Sequence, residues 1–307
     1  MPEIMIGNYH LEIDGDYSDP LIQNNASNKK ILIDGKDITV GFIYNCVYKQ
    51  RKAFEYGLRS IRNLYPDSPI YIVSDGGYDY EYLEDEIGNL KFEMGTDTMG
   101  PVKKITFDNF LEEENQNSVK NNIAATVDRL DRGIKFCNYP DWIFMTEPDV
   151  LLRDKFSVPQ GAKLLGTRLN DATLPPTIRL DQWVEMNQLL CEIDSSIPFF
   201  RWGAVPPIFH TETYLKAAKI YKDNFKVLSN LPKVLYGANN YDVIMPFFFS
   251  LVGEPEVFNS EIIECLRDPS WRTSSHPIVH QWRELYGDDD HYDDDRKLFF
   301  KRFNNEM

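Results

Sequence analysis

The chain reads as an α/β protein built on a mostly parallel sheet, and three observations carry that reading. Thr39 to Val47, Ile70 to Ser74 and Trp142 to Thr146 are short apolar runs of strand-forming residues, of the length expected for strands buried on both faces. Segments with helical apolar spacing stand between them, which gives the strand, helix, strand order of a parallel sheet. Each run also ends in polar or Gly-rich sequence: Asn45 to Tyr48, Asp75-Gly76-Gly77, and Glu147-Pro148-Asp149. In sheets of this kind ligands bind beyond the carboxyl ends of the strands.

In chain order, residues 1–38 hold two apolar runs, Ile4 to Ile6 and Ile31 to Ile33, around an Asn-rich stretch. They read as an N-terminal extension with a hairpin or edge strands. Residues 39–307 read as one domain, with halves at 39–170 and 171–307. After the first strand, Gln50 to Tyr65 places Phe54, Leu58, Ile61 and Tyr65 at helical spacing, and Pro66 to Pro69 ends it. Tyr78 to Leu90 reads as a short acidic helix, and residues 91–116 read as irregular. Ser118 to Phe136 is a helix with one stripe of Ile123, Val127, Leu130 and Ile134. Lys163 to Thr167 is a further strand. Beyond residue 170 prolines and aromatic residues cluster, and Phe199 to His210 reads as strand, loop, strand. Thr211 to Asp223 is a helix. Val243 to Leu251 is a buried helix with Pro246 in or near its first turn. Pro277-Ile278-Val279 is a short strand leading to His280.

Composition narrows the function. The 307 residues carry a net charge of −15 and a pI near 4.8. That argues against general nucleic-acid binding, which needs a basic surface. The cysteines, Cys46, Cys137, Cys191 and Cys265, form no CxxC pair, which fits reduced thiols and a cytoplasmic location. No basic region followed by an apolar run opens the chain. The densest apolar run, Pro246 to Val252, is too short to span a bilayer. Walker, GxGxxG and GxSxG motifs are absent, so a P-loop kinase, a dinucleotide dehydrogenase and a serine hydrolase are poorly supported.

The triplet Glu147-Pro148-Asp149 carries the most chemistry. Residues two apart on extended chain point to one side, and Pro148 favours extended geometry at Glu147. Two carboxylates at the end of a buried strand are placed to hold Mg²⁺ or Mn²⁺ together with phosphate oxygens. An acid-Pro-acid triplet is equally a common form of solvated turn.

The order of these parts resembles the GT-A glycosyltransferases, over roughly residues 39–282, and has the look of bacterial or large-virus polysaccharide enzymes. The elements that carry the resemblance are the TVGFIYNCVYKQRKAFEYGLRSI opening, the YIVSDGG second strand, the helix feeding the acid triplet, a proline-aromatic region and a late histidine. It implies a GT-A-like, Rossmann-type three-layer α/β/α sandwich and a nucleotide-sugar donor such as a UDP- or GDP-sugar. The triplet stands where that family usually has Asp-x-Asp, with Glu147 replacing the first Asp. By the same resemblance Asn45 and Tyr48 would lie near the base and ribose, and Asp75 would accept a hydrogen bond from the base. Lys120 and Asn122 would approach the donor. Glu147 would reach the ribose or a water on the metal, Asp149 would bind the metal, and His280, in preference to His276, would add a ligand. Duller readings stand beside these. Asp75-Gly76-Gly77 can be a turn, Lys120 a solvated lysine, and either histidine a packed residue. His291 sits in an acidic run that reads as solvated.

An inverting transfer to a glycan acceptor needs a base. Asp242, which opens the buried helix beside Asn239 and Asn240, stands where this fold often places one. Its competing reading is an N-cap. Asp181 and Glu185 are reserves. Two other functions fit the sheet: a sugar-nucleotide nucleotidyltransferase, and an inactive glycan-binding module. The first usually needs a Gly-rich basic loop after the first strand, and Asn45 to Arg51 has no glycine.

Overall fold

The computed structural model describes residues 3–6, 9–12, 30–33, 38–47, 51–74, 79–95, 113–148, 150–169, 188–197, 203–228, 241–258, 263–266 and 275–281. At some of these, 113–122 and 241–243 among them, only the backbone is described. The strands are β1 (Glu3–Ile6), β2 (Tyr9–Glu12), β3 (Lys30–Leu32), β4 (Val40–Val47), β5 (Ile70–Ser74), β6 (Leu90–Met94) and β7 (Trp142–Thr146). There follow β8 (Val150–Leu152), β9 (Ser157–Pro159), β10 (Leu164–Leu169), β11 (Gly203–His210), β12 (Val257–Phe258), β13 (Ile263–Leu266) and β14 (Ile278–Gln281). The helices are α1 (Arg51–Leu64), α2 (Tyr82–Ile87), α3 (Glu113–Phe136), α4 (Thr211–Asp223), α5 (Phe225–Leu228) and α6 (Tyr241–Ser250).

The central sheet has seven strands in the order β12-β10-β11-β7-β4-β5-β6. All run one way except β11, which is antiparallel to both neighbours. The alternation of β4 explains the layers. Phe42 and Tyr44 face α1, where Phe54, Leu58 and Ile61 pack on them. Ile43 faces the other way, with Tyr71 and Val73, against Ile123, Val127, Leu130 and Ile134 of α3. Helices α4 and α6 lie in the same cluster as α3, through Tyr214, Ala217, Phe247 and Phe248. The result is a three-layer α/β/α sandwich. Gly133 lets α3 sit close, since a Cβ there would lie 2.7 Å from the side chains of Ile43 and Tyr71. Among the described residues no helix is long and apolar enough to cross a membrane.

Several elements differ from the sequence reading. Residues 90–94 form a parallel edge strand, where irregular structure was expected from 91. Helix α3 starts at Glu113, ahead of Ser118. Residues 203–210 form one strand that runs through Pro206-Pro207. The register with β10 explains how: Leu165 pairs with Ile208 and Thr167 with Val205, so the two prolines sit in a bulge, where no ladder N–H is needed. Pro246 lies in the interior of α6, beyond its first turn. It offers no N–H to the Asp242 carbonyl, four residues earlier. In residues 1–38, β1 and β2 pair as an antiparallel hairpin and β3 pairs with β9.

Candidate functional site

The chain leaves β4 through α1 to β5 on one side, then returns through α3 to β7 on the other. The helices cover opposite faces, so the sheet has its topological switch point between β4 and β7, and ligands of such sheets bind beyond the carboxyl ends there. Tyr44 pairs with Thr146 in the β4–β7 register. Asn45, next along β4, and Glu147, just past the end of β7, stand at this switch point.

The Val150 N–H donates to the Glu147 carbonyl (3.1 Å). Strand β8 starts there and pairs antiparallel with β14, with Val150 opposite His280. The N–H groups of Arg153 and Asp154 both meet the Pro277 carbonyl, at 2.7 and 3.4 Å, and fix the far end of the pairing. This brings His280 Nε2 to 3.6 Å from Glu147 Oε2, with 8% and 16% of the two side chains exposed. Helix α1 seats the start of β8 from the other side. Gly57 faces it without a side chain: a Cβ there would be 2.7 Å from the Val150 carbonyl oxygen. One turn on, the Ser60 hydroxyl donates to the Gly57 carbonyl (2.6 Å) and accepts from the Leu152 N–H (3.3 Å).

Asn45 is 1% exposed, and neither its Nδ2 nor its Oδ1 has a partner among the described residues. Thr146 Oγ1, also buried, is likewise unpartnered there, on the opposite face of the sheet with Phe144 and Tyr44. Buried polar groups without partners cost roughly 1–3 kcal/mol each, so these strand ends are costly as they stand. Behind Asn45 lies Arg129 of α3, fully buried, which donates to the Asn45 carbonyl at 2.7 Å. Thr126, buried as well, precedes it by one turn. Sequence reasoning missed both. The available signal was spacing: residues 122, 126 and 129 form a polar ridge beside the apolar stripe of α3.

The other candidates are placed as follows. Tyr48, Asp75, Asp149, Asp181, Glu185 and His291 lie outside the described residues. Lys120 and Asn122 are in the first half of α3 and Asp242 is the second residue of α6, with their side chains outside the description. Phe249 and Phe248 of α6 contact Phe209 and Tyr214. Those partners mark the amino-end side of the parallel strands, and Asp242 belongs to the other end of the helix. His276 is half-buried just before β14.

A divalent ion fits the residues that do converge. Two donors on one ion at about 2.1 Å each are at most about 4.2 Å apart, and the Glu147 carboxylate and His280 imidazole meet that limit. Among the described residues no group of three or more such ligands occurs. An imidazole nitrogen is a softer ligand than Mg²⁺ ordinarily takes, so the pair suits Mn²⁺ better.

Layers and strand order together define a GT-A-like α/β architecture. No family model matches the chain, and no curated protein matches it. Among 68 matching solved chains is core-mannan synthase A from Aspergillus fumigatus in its Mn/GDP form, with a TM-score of 0.50 and 11% identity over 85% of each chain. Mouse xyloside xylosyltransferase 1 in its apo form has a TM-score of 0.39 and 10% identity, over 81% of this chain and 98% of that one. The PaToxG glycosyltransferase has a TM-score of 0.30 and 14% identity, over 73% and 74%. At these identities the likeness to the mannan synthase is one of fold.

Proposed function

We propose that this chain is a metal-dependent glycosyltransferase that moves a sugar from a nucleotide-diphosphate-sugar to a glycan acceptor. The observation that carries the reading is the approach of His280 to Glu147 at the exit of β7, beside a buried Asn45 amide with open valences. The Mn/GDP form of the structurally similar mannan synthase supports Mn²⁺ and a nucleoside diphosphate as the ligands to try first.

In this reading Asp149 and His280 hold Mn²⁺ or Mg²⁺, with Glu147 at the ribose or in the ion's hydration shell. Asn45, Tyr48 and Asp75 receive the nucleoside, and Lys120 and Asn122 approach the donor from the start of α3. The ion would stabilise the charge that the diphosphate gains as its bond to the anomeric carbon breaks. Asp242 takes the proton of the acceptor hydroxyl, which attacks the anomeric carbon from the face opposite the diphosphate, so the configuration inverts. Residues 39–170 then form the donor half and 171–307 the acceptor half, in a cytoplasmic enzyme of polysaccharide synthesis.

The test is titration calorimetry and thermal shift with UDP-, GDP-, dTDP- and CDP-sugars and Mn²⁺. One of them raises the melting point by linkage, and Asp149→Ala abolishes the metal-dependent part. Donor affinity unchanged in Asp149→Ala would remove the metal from the mechanism. Slow, metal-dependent donor hydrolysis separates a transferase from a glycan-binding module.

A further inference from the structure

We propose that Arg129 is a positioning residue for the nucleoside end of the donor, acting through Asn45; this rests on the reading of the switch point as a donor site. The guanidinium is fully buried and donates to the main-chain carbonyl of Asn45 at 2.7 Å. Burying a guanidinium in a helix–sheet interface is costly unless its hydrogen bonds are made. Here one of them holds the last part of β4.

The Asn45 amide is what that bond steadies. It has two N–H donors and an acceptor oxygen, and none has a partner among the described residues. An amide of this kind pairs with a planar edge that offers one donor and one acceptor, which is what a nucleobase presents. Such pairing is sensitive to small rotations, because hydrogen bonds weaken steeply as they bend. Arg129 therefore sets affinity for the nucleoside without touching it. Its planar, multi-donor fork does this where a lysine, a single point charge, cannot do so fully. Glu147, just past β7, and His280, on β14, are not held by this bond.

The experiment uses the full chain with GDP and UDP as probes, each with Mn²⁺, and Mn²⁺ alone as a control. Affinities come from calorimetry, and folded fraction from circular dichroism. Arg129→Lys is expected to weaken the nucleotide that binds by about tenfold while Mn²⁺ alone binds as before. Asn45→Ala is expected to weaken it by a similar factor, and adding Arg129→Lys to Asn45→Ala should bring no further loss. That non-additivity is the signature of one residue acting through the other. Full additivity of the two, or nucleotide affinity retained within twofold in Arg129→Lys, overturns the positioning role alone. Failure of the unaltered chain to bind either nucleotide defeats the donor reading, and the role of Arg129 falls with it.

Discussion

Gly57→Ala separates the architecture of the site from the stability of the fold. A Cβ at residue 57 would lie 2.7 Å from the Val150 carbonyl, and ordinary contact starts at 3.4 Å, so something must yield by 3.4 − 2.7 = 0.7 Å. The obstacle is backbone, and the Pro148 carbonyl is only 3.9 Å from the same point. Alanine in a helix interior is favoured over glycine by about 1 kcal/mol. Overpacking costs about 1–3 kcal/mol, so the net loss of stability stays within about 2 kcal/mol. The site is less forgiving: metal and catalytic constellations tolerate about 0.5 Å, and a 1 Å misplacement can cost about a hundredfold. Moving Val150 by 0.7 Å disturbs its hydrogen bond to Glu147 and its pairing with His280. The expectation is a melting point lowered by a few degrees, with Mn²⁺-dependent nucleotide affinity down about tenfold or more. Calorimetry and thermal unfolding on the same sample measure both. Full affinity in a folded variant would mean that α1 retreats and Val150 does not, and the argument that Gly57 seats the start of β8 would be wrong.

Other expectations follow from separate parts of the molecule. Asp242→Asn should bind donor normally and lose transfer; full turnover by a product assay would exclude Asp242 as the base. Arg62 donates to the carbonyls of Tyr65, Pro66, Ser68, Gly88 and Asn89 and so ties the end of α1 to the β5–β6 side of the sheet. Its replacement by alanine should cost about 3 kcal/mol in urea unfolding, since charge-assisted bonds are worth about 1.5–3 kcal/mol each but share one side chain. His210 is pushed below its ordinary value by burial, with Lys163 adding to the effect and Glu212 and Asp141 opposing it. The unfolded chain therefore takes up the proton at higher pH than the folded one. Stability from this group is present above about pH 6.5 and is lost as pH falls through the lower folded value. His210→Gln should flatten that acid limb in a melting series, and an unchanged slope would show that another group produces it.

Much of the sheet was legible because its strands are long, continuous and apolar. Trp142 to Thr146 and Ile70 to Ser74 match the observed strands residue for residue, as does Thr211 to Asp223 for α4. What escaped is structure that a partner decides. Val150–Leu152 and Ser157–Pro159 are three residues each and are strands because β14 and β3 lie beside them. Leu90 to Met94 alternates buried and exposed positions, Leu90 and Phe92 inward, but so short a run on an edge is a weak periodic signal. At the site, the resemblance pointed to His280. The reason it reaches Glu147, an antiparallel pairing across distant sequence, cannot be read from local pattern. Arg129 was invisible for the opposite reason: arginine in an amphipathic helix ordinarily faces water.

The two ends of β4 and β7 are treated differently, and that difference is the physical basis for placing the chemistry. At the amino ends Thr39 and Asp141 are closed on one another. The Thr39 N–H and hydroxyl both donate to Asp141 Oδ2 at 2.8 Å, and the Asp141 N–H returns a bond to Thr39 Oγ1 at 2.9 Å. At the carboxyl ends Asn45 and Thr146 are buried with valences unmet among the described residues, and a carboxylate and an imidazole are brought together with little exposure. A buried carboxylate beside an imidazole is weak as a source of stability, because desolvation offsets most of any attraction. Had stability been the only requirement, apolar side chains would have served the carboxyl ends better. Local costs of this kind persist in folded proteins chiefly at functional sites, so the end of the sheet where an open amide, a carboxylate and an imidazole come together is the end that a donor and its cation would complete.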